Sequence, residues 1–153
     1  MHITIQPTDP DDPMALACLA QYFALLVARI PDLSPQMFPL PDPDARSYRP
    51  PSGTFLLALS GQTPVGCVSL RPLTTVLAEV KRLWIAPAAR GQGLARRLMQ
   101  TVEDHARSLG HTALTLDTNE HLPEAIALYT NTGWHPVPPY TDPPATHWFG
   151  KPL

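Results

Sequence analysis

The sequence predicts an α/β protein with a mixed central sheet and helices on both faces. Three observations predict it. The segment "EVKRLWI", a helical pattern over residues 90–109 and "TALTLD" follow one another as strand, long helix and strand. The segment "TFLLALSGQTPVGCVSLRPL", just before them, reads as a hairpin. A strand and helix at the start, and a helix and short strands at the end, continue the alternation. A strand–helix–strand unit makes a right-handed crossover between parallel strands, whereas a hairpin is antiparallel, so the sheet must be mixed.

Each element has a local cause. "HITIQP" forms the first strand and Pro7 ends it. Pro13 suits a first helical turn, with Asp11 and Asp12 before it as caps, and that helix runs to about Arg29. Its apolar residues lie nearly all round, which predicts a well-buried helix. Residues 31–52 are rich in proline and read as irregular, with one short helix near Asp42–Tyr48. Two apolar runs flank Ser60-Gly61-Gln62-Thr63, a good hairpin turn. "TVLAEVKRLWIAP" is the next strand, stopped by Pro87. In the long helix, Leu94, Leu98, Val102, Ala106 and Leu109 fall on one stripe. Arg96, Arg97, Gln100, Glu103, Asp104 and Arg107 fall on the other side, and Gly110 closes the helix. "TALTLDT" is a strand, "LPEAIALYTNTG" a helix between Pro123 and Gly133, and "WHPV" and "THWFGKPL" are short strands. No internal repeat is present, and residues 1–153 read as a single domain.

Composition excludes several function classes. An apolar fraction of 44% is enough for a real core. A net charge of -2 requires neither nucleic acid nor a membrane surface as partner. Cys18 and Cys67 have no framework spacing, so neither a disulfide scaffold nor a thiolate metal site is expected. The six histidines lie scattered without HExxH, and no metal is expected. "MALACLAQYFALLVARI" is interrupted by Gln21 and is too short to span a bilayer comfortably. "MHITIQP" reads as a strand rather than a signal peptide, and a cytoplasmic setting is expected.

The informative stretch is "APAARGQGLARRLMQ", Ala86 to Gln100. Glycine lowers helix propensity, yet Gly91 and Gly93 stand where a strongly helical pattern begins, beside Arg90. A helix start offers unpaired N–H groups and partial positive charge, and glycine lets a large anion approach the backbone. Tight packing at the helix start is the plainer alternative. Two common phosphate loops do not fit. A P-loop needs a lysine followed by Ser or Thr after its second glycine, and none follows. A dinucleotide fingerprint fails because Arg96 fills its last slot and His111 and Thr112 stand where an acid is needed.

Arg90-Gly91-Gln92-Gly93-Leu94-Ala95 does fit [Gln/Arg]-x-x-Gly-x-[Gly/Ala]. That pattern resembles the coenzyme A pyrophosphate motif of the GCN5-related N-acetyltransferase (GNAT) family. "AEVKRLWIAPAARGQGLARRLM" is similar to that family's central strand and following helix, "EAIALYTNTGW" to its last helix, and "FLLALSGQTPVGCVSLRPL" to its central hairpin. The likeness covers roughly residues 50–153, with the blocks in family order and spacing.

The resemblance implies a GNAT-like, partly splayed sheet, with the cofactor wedged between two parallel strands. It implies acetyl-CoA as acyl donor, no metal, and an amine of a small molecule or peptide as acceptor. A homodimer or a monomer fits equally. The backbone of Leu83, Trp84 and Ile85 would pair with the pantetheine arm, and the amides of Gly91 through Arg96 (Gly91, Gln92, Gly93, Leu94, Ala95, Arg96), with Arg90, would hold the pyrophosphate. Glu79 would act as general base, facing the same side as Leu83 and Ile85 by two-residue alternation; an ordinary salt-bridged strand glutamate is the alternative. Tyr129 would supply its hydroxyl at the sulfur or serve as a core aromatic. Asn119 would bind the pantetheine or cap the next helix. Cys67 reads as a buried strand residue. Met37, Phe38, Tyr48 and Trp148 would line the acceptor wall. A non-catalytic acyl-coenzyme A sensor, or another nucleotide enzyme using the same loop, is the competing reading.

Overall fold

The helix that opens the chain shows how local chemistry places each element. In the computed structural model, which describes residues 2–153, α1 (Pro13–Arg29) is capped by Asp12, whose carboxylate accepts from the Met14 amide at 2.9 Å. Pro13 sits at the first turn, where its missing N–H leaves nothing unpaired. Burial is one-sided rather than all round: Ala15, Cys18, Leu19, Phe23 and Leu26 are buried, while Ala17, Ala20, Ala24 and Ala28 face outward. Those alanines made the pattern look apolar on every side, and small apolar residues at a surface are ordinary.

The strands are β1 (Ile3–Pro7), β2 (Thr54–Ser60), β3 (Thr63–Pro72), β4 (Leu77–Ile85), β5 (Ala113–Thr118), β6 (His135–Pro136) and β7 (His147–Pro152). They form one seven-stranded sheet in the order β1-β2-β3-β4-β5-β7-β6. All neighbours run antiparallel except β4 and β5. The β2–β3 hairpin turns at Gly61, which takes the left-handed φ of 61° that the tight turn needs. The expected short helix near Asp42–Tyr48 is a 3-10 turn at Ala45–Tyr48.

Helices α2 (Leu94–Ser108) and α3 (Pro123–Asn131) complete the set. α2 starts at Leu94 rather than residue 90, because Gly91 and Gly93 adopt φ of 75° and 76°. Two apolar layers flank the sheet. Leu98, Val102, Val68, Val80, Leu114 and Tyr129 belong to the layer under α2 and α3. Leu19, Phe23, Tyr48, Phe55, Cys67 and Trp84 belong to the layer under α1. Leu94, Leu98, Val102 and Ala106 are buried as expected, whereas Leu109 ends partly exposed past the last turn. Glu103, assigned by periodicity to the wet face, is buried and meets Lys151 Nζ of β7 at 2.6 Å.

Two irregularities in β4 prepare the site. β4 and β5 pair only through Leu77↔Ala113, Ala78↔Leu114 and Glu79↔Thr115, and then diverge. The second irregularity is a bulge: Arg82 has φ of 62°, and the β3–β4 register shifts between Ser69↔Lys81 and Cys67↔Trp84. An extra residue inverts the alternation. Glu79 and Lys81 therefore share the α1 face with Trp84, while Leu83 and Ile85 pack against the α2 layer. This corrects the expectation that Glu79 faces the same side as Leu83 and Ile85.

Candidate active site

The β4–α2 loop is built to present amides. A 3-10 turn at Pro87–Ala89 follows β4, and two left-handed glycines then swing the backbone into α2. Among the described residues, no acceptor meets the N–H of Gly91, Gln92, Gly93, Leu94, Ala95 or Arg96; the first helical bond is Arg97 N–H to the Gly93 carbonyl at 3.1 Å. Gly93 brings no capping side chain. A Cβ added at Gly91 or Gly93 would meet nothing within 4 Å, so the loop is open on its outer side. Six free donors at the positive end of a 15-residue helix make a site for a multiply charged anion. The macrodipole contributes about 0.3–1 kcal/mol and each charge-assisted bond about 1.5–3 kcal/mol. The Gln92 amide group turns back to the Ala88 carbonyl, and Leu94 is buried in the core, so these two offer only their main chain.

This loop opens into a groove of about 330 Å³ lined by Trp84, Ile85, Arg90, Gly93, Arg96 and Leu128, among others. The groove is mostly apolar between its charged loop end and its inner end. The outer edge of β4 from Lys81 to Ile85 has no strand partner, because β5 has already diverged, so its backbone is free to pair with an extended ligand. One edge carbonyl, that of Ile85, accepts from Arg90 Nε at 3.3 Å.

A second cavity, of about 110 Å³, fills the gap where β4 and β5 part. It shares Tyr22, Leu83, Leu122 and Ala125 with the groove, and adds Lys81, Asp117, Asn119 and Tyr129. Burial pushes the Tyr129 phenol well above its ordinary value, and its ring packs at 5.8 Å from Trp134 and 5.9 Å from Phe149. Burial likewise pushes the Tyr22 phenol up to about 12. Asn119 lines this cavity while its side chain is held by the protein: it donates to the Pro144 carbonyl and accepts from the His121 amide at 2.8 Å. It does not cap α3, whose N-cap position is Leu122.

Glu79 is 1% exposed and both its oxygens are engaged. Oε1 accepts from Arg71 Nε at 2.8 Å, directly across the β3–β4 ladder, and Oε2 accepts from the Tyr140 hydroxyl at 2.6 Å. Burial and the Glu79 charge hold the Tyr140 phenol far above its usual range. Burial opposes the Arg71 charge, and neighbouring Tyr48 and Glu79 outweigh it, so the guanidinium is held above its ordinary value. The next loop residue, Thr141, donates to Asp117 Oδ2 at 2.6 Å and accepts from Trp148 Nε1 at 2.9 Å. Consecutive residues of the β6–β7 loop thus bind carboxylates on the two parting strands.

The four residues expected to line the acceptor wall do not line the cavity where β4 and β5 part. Tyr48 is in the core beneath Arg82, Phe38 stacks on Phe23 at 4.9 Å, Met37 lies 56% exposed, and Trp148 binds Thr141. The cavity is bounded instead by Tyr22, Lys81, Asp117 and the loop at Pro144. Only the parting of β4 and β5 brings Lys81 and Asp117 together. Both cysteines are free and buried, Cys67 on β3 as expected. Among the described residues, no helix is long and apolar enough to cross a membrane, and no group of three or more His, Cys, Asp or Glu side chains could hold a metal ion.

Comparison with known proteins bears on the same segment. The profile of the Acetyltransferase (GNAT) family matches residues 23–134. An IAA acetyltransferase of Azospirillum brasilense is 37% identical over 114 residues, covering 72% of this chain and 74% of that protein. Other curated N-acetyltransferases match over 42–60% of their own length. A crystal structure described as a putative acyl-CoA N-acyltransferase from Klebsiella pneumoniae superposes with a TM-score of 0.77 at 29% identity, over 99% of this chain and 97% of that one. A GNAT family acetyltransferase from Elizabethkingia anophelis with acetyl-CoA bound shares the fold, with a TM-score of 0.69 at 20% identity over 99% and 98% of the two chains. The matched span contains β4, the amide-rich loop and α3, and the chain belongs to the GNAT acetyltransferase family.

Proposed function

We propose that this protein transfers an acetyl group from acetyl-coenzyme A to a primary amine of a small molecule or peptide by direct attack. One observation carries the reading: six free amides at the head of α2 open onto a groove that ends in the gap between β4 and β5. The amides of Gly91 to Arg96, with Arg90, bind the pyrophosphate. The free edge of Leu83, Trp84 and Ile85 pairs with the pantetheine arm, and the same backbone polarises the thioester carbonyl. The acetyl carbon then lies at the 110 Å³ cavity.

The amine must first lose a proton. At pH 7 an alkylammonium near pKa 10.4 costs about 4.6 kcal/mol to deprotonate. Glu79 takes that proton once the Tyr140 hydroxyl yields Oε2 to the amine or to a water relay. The nitrogen lone pair forms the C–N bond, the C–S bond breaks, the electron pair leaves on sulfur, and the second N–H proton, shed as the amide forms, is finally taken up by the thiolate. The Tyr129 hydroxyl, held protonated by burial, donates a hydrogen bond to that thiolate.

The test is paired binding and turnover. Coenzyme A should stabilise the protein against heat, and thiol should be released from acetyl-coenzyme A with members of an amine panel. Gly93→Glu places a carboxylate among the phosphate donors and should weaken coenzyme A binding at least 100-fold in calorimetry. Unchanged affinity would remove the loop from the assignment. Binding without thiol release from any amine would favour the sensor, a reading that the two occupied oxygens of Glu79 keep specific.

A further inference from the structure

Where β4 and β5 separate, opposite charges face each other without meeting. Lys81 Nζ and Asp117 Oδ1 stand 4.0 Å apart, beyond hydrogen-bond reach. Their side chains are only 20% and 21% exposed. Among the described residues, Lys81 Nζ makes no hydrogen bond, and Asp117 is satisfied only at Oδ2, by Thr141. The remaining charged wall group, Arg82, is spoken for: it binds Asp42 at 2.7 Å and 3.2 Å and reaches Asp44 at 3.5 Å. Glu79 and Arg71, nearby on the same face, satisfy each other. The cavity therefore offers an ammonium and a carboxylate oxygen, both without a hydrogen bond, side by side at 4.0 Å.

A largely enclosed charge without a hydrogen-bond partner is costly, and an ion pair with good geometry would have closed the last ångström. A pair held just apart suits a ligand that carries both charges itself. We infer that the acceptor is a zwitterionic α-amino acid or a molecule ending in that group, with its carboxylate on Lys81 Nζ and its ammonium on Asp117 Oδ1. The cavity size agrees. At about 110 Å³ it is smaller than the roughly 150 Å³ engineered cavity that holds benzene, and an amino-acid head group is smaller than benzene. Tyr22 and Tyr129 add hydroxyls to the same wall. The product is an N-acetyl amino acid plus coenzyme A thiol; the new C–N bond replaces the C–S bond, one ammonium proton leaves by the base, and the second, shed as the amide forms, ends on sulfur.

This inference rests on the acetyltransferase reading and deepens it. Its test uses matched acceptors that differ only in the carboxylate: α-amino acids and the amines left by their decarboxylation. Wild-type protein should favour the amino acid at least tenfold in kcat/KM. Lys81→Met should bring the ratio towards one, and Lys81→Arg should restore part of it. A merely structural lysine would change both acceptors equally. Calorimetry of the same pairs against the coenzyme A complex reads the selectivity even where turnover is slow. Equal use of both acceptors by wild type, or a ratio untouched by Lys81→Met, overturns the inference while leaving acetyl transfer intact. Failure of coenzyme A itself to bind overturns the acetyltransferase reading, and this inference falls with it.

Discussion

Tyr129 reaches the wall of the cavity between β4 and β5 through two separate physical causes. Helix α3 begins at a proline and ends before Gly133, which sets its length, and the contacts with Trp134 and Phe149 fix its ring. Burial then raises the phenol, which decides what kind of acid it is. A phenol so shifted keeps its proton across the neutral range, yet giving that proton fully to a thiolate would run uphill, since a thiol titrates near 8.5. In the proposed reaction its service is therefore hydrogen-bond donation to developing charge. Such a bond is worth about 1.5–3 kcal/mol, or roughly 10- to 100-fold in rate. Tyr129→Phe should lower kcat by that factor and leave coenzyme A affinity and the unfolding midpoint nearly unchanged. Steady-state kinetics beside calorimetry checks this, and an undiminished kcat would make the tyrosine a core aromatic only. The residue type and its place after "AL" were legible in the sequence. The sign of its pKa shift was not, because burial depends on residues of other elements.

At the scale of elements, β4 decides most of the site. The sequence marked it as a strand, and its Pro87 stop is where the structure ends it. The bulge at Arg82 was hidden, because arginine carries no propensity for a left-handed φ. Its cause is tertiary: the guanidinium is held by Asp42 and packs 5.3 Å from the Phe23 ring and 5.5 Å from Tyr48. Burial opposes the charge on Arg82, and Asp42 more than offsets it, so the group is held above its ordinary value. In return, burial opposes the Asp42 carboxylate and Arg82 outweighs it, holding it below the usual range. Residues 31–52, a proline-rich stretch without a clear period, thus exist partly to deliver one carboxylate to a strand. Asp42→Asn leaves a buried cation short of its main partner and should cost about 3 kcal/mol in urea unfolding. A loss below about 1 kcal/mol would mean that the aromatic packing alone holds the bulge. The parting of β4 from β5 was legible only through family resemblance, since two strands of ordinary composition do not state where their pairing stops.

Across the whole molecule, all four tyrosines are held above the ordinary phenol value, Tyr22, Tyr48, Tyr129 and Tyr140, with burial as the first cause at each. They sit on α1, the 3-10 turn before β2, α3 and the β6–β7 loop, so their titration is a property of the fold rather than of one element. The sign follows from proton counting. Below pH 10 every tyrosine is neutral whether the chain is folded or not, and this contribution is fully present. Above pH 10 the unfolded chain releases phenol protons that the folded chain keeps, so stability falls as pH rises towards the folded values. For Tyr22 that window is about pH 10 to 12. Each enclosed tyrosine contributes a slope of up to about 1.4 kcal/mol per pH unit, and Tyr140, 39% exposed, contributes less because water screens it. Unfolding free energy measured in urea from pH 8 upward should therefore be flat with respect to these groups and then drop steeply. Tyr48→Phe isolates one proton from the rest. Among the described residues, the Tyr48 hydroxyl is buried without a hydrogen-bond partner, so its removal forfeits no bond at neutral pH. That variant should match or exceed wild-type stability at pH 8 and show an alkaline slope shallower by about one proton. An identical slope in both proteins, or phenolate absorbance appearing near pH 10 in the folded state, would show that the tyrosines are solvated rather than enclosed.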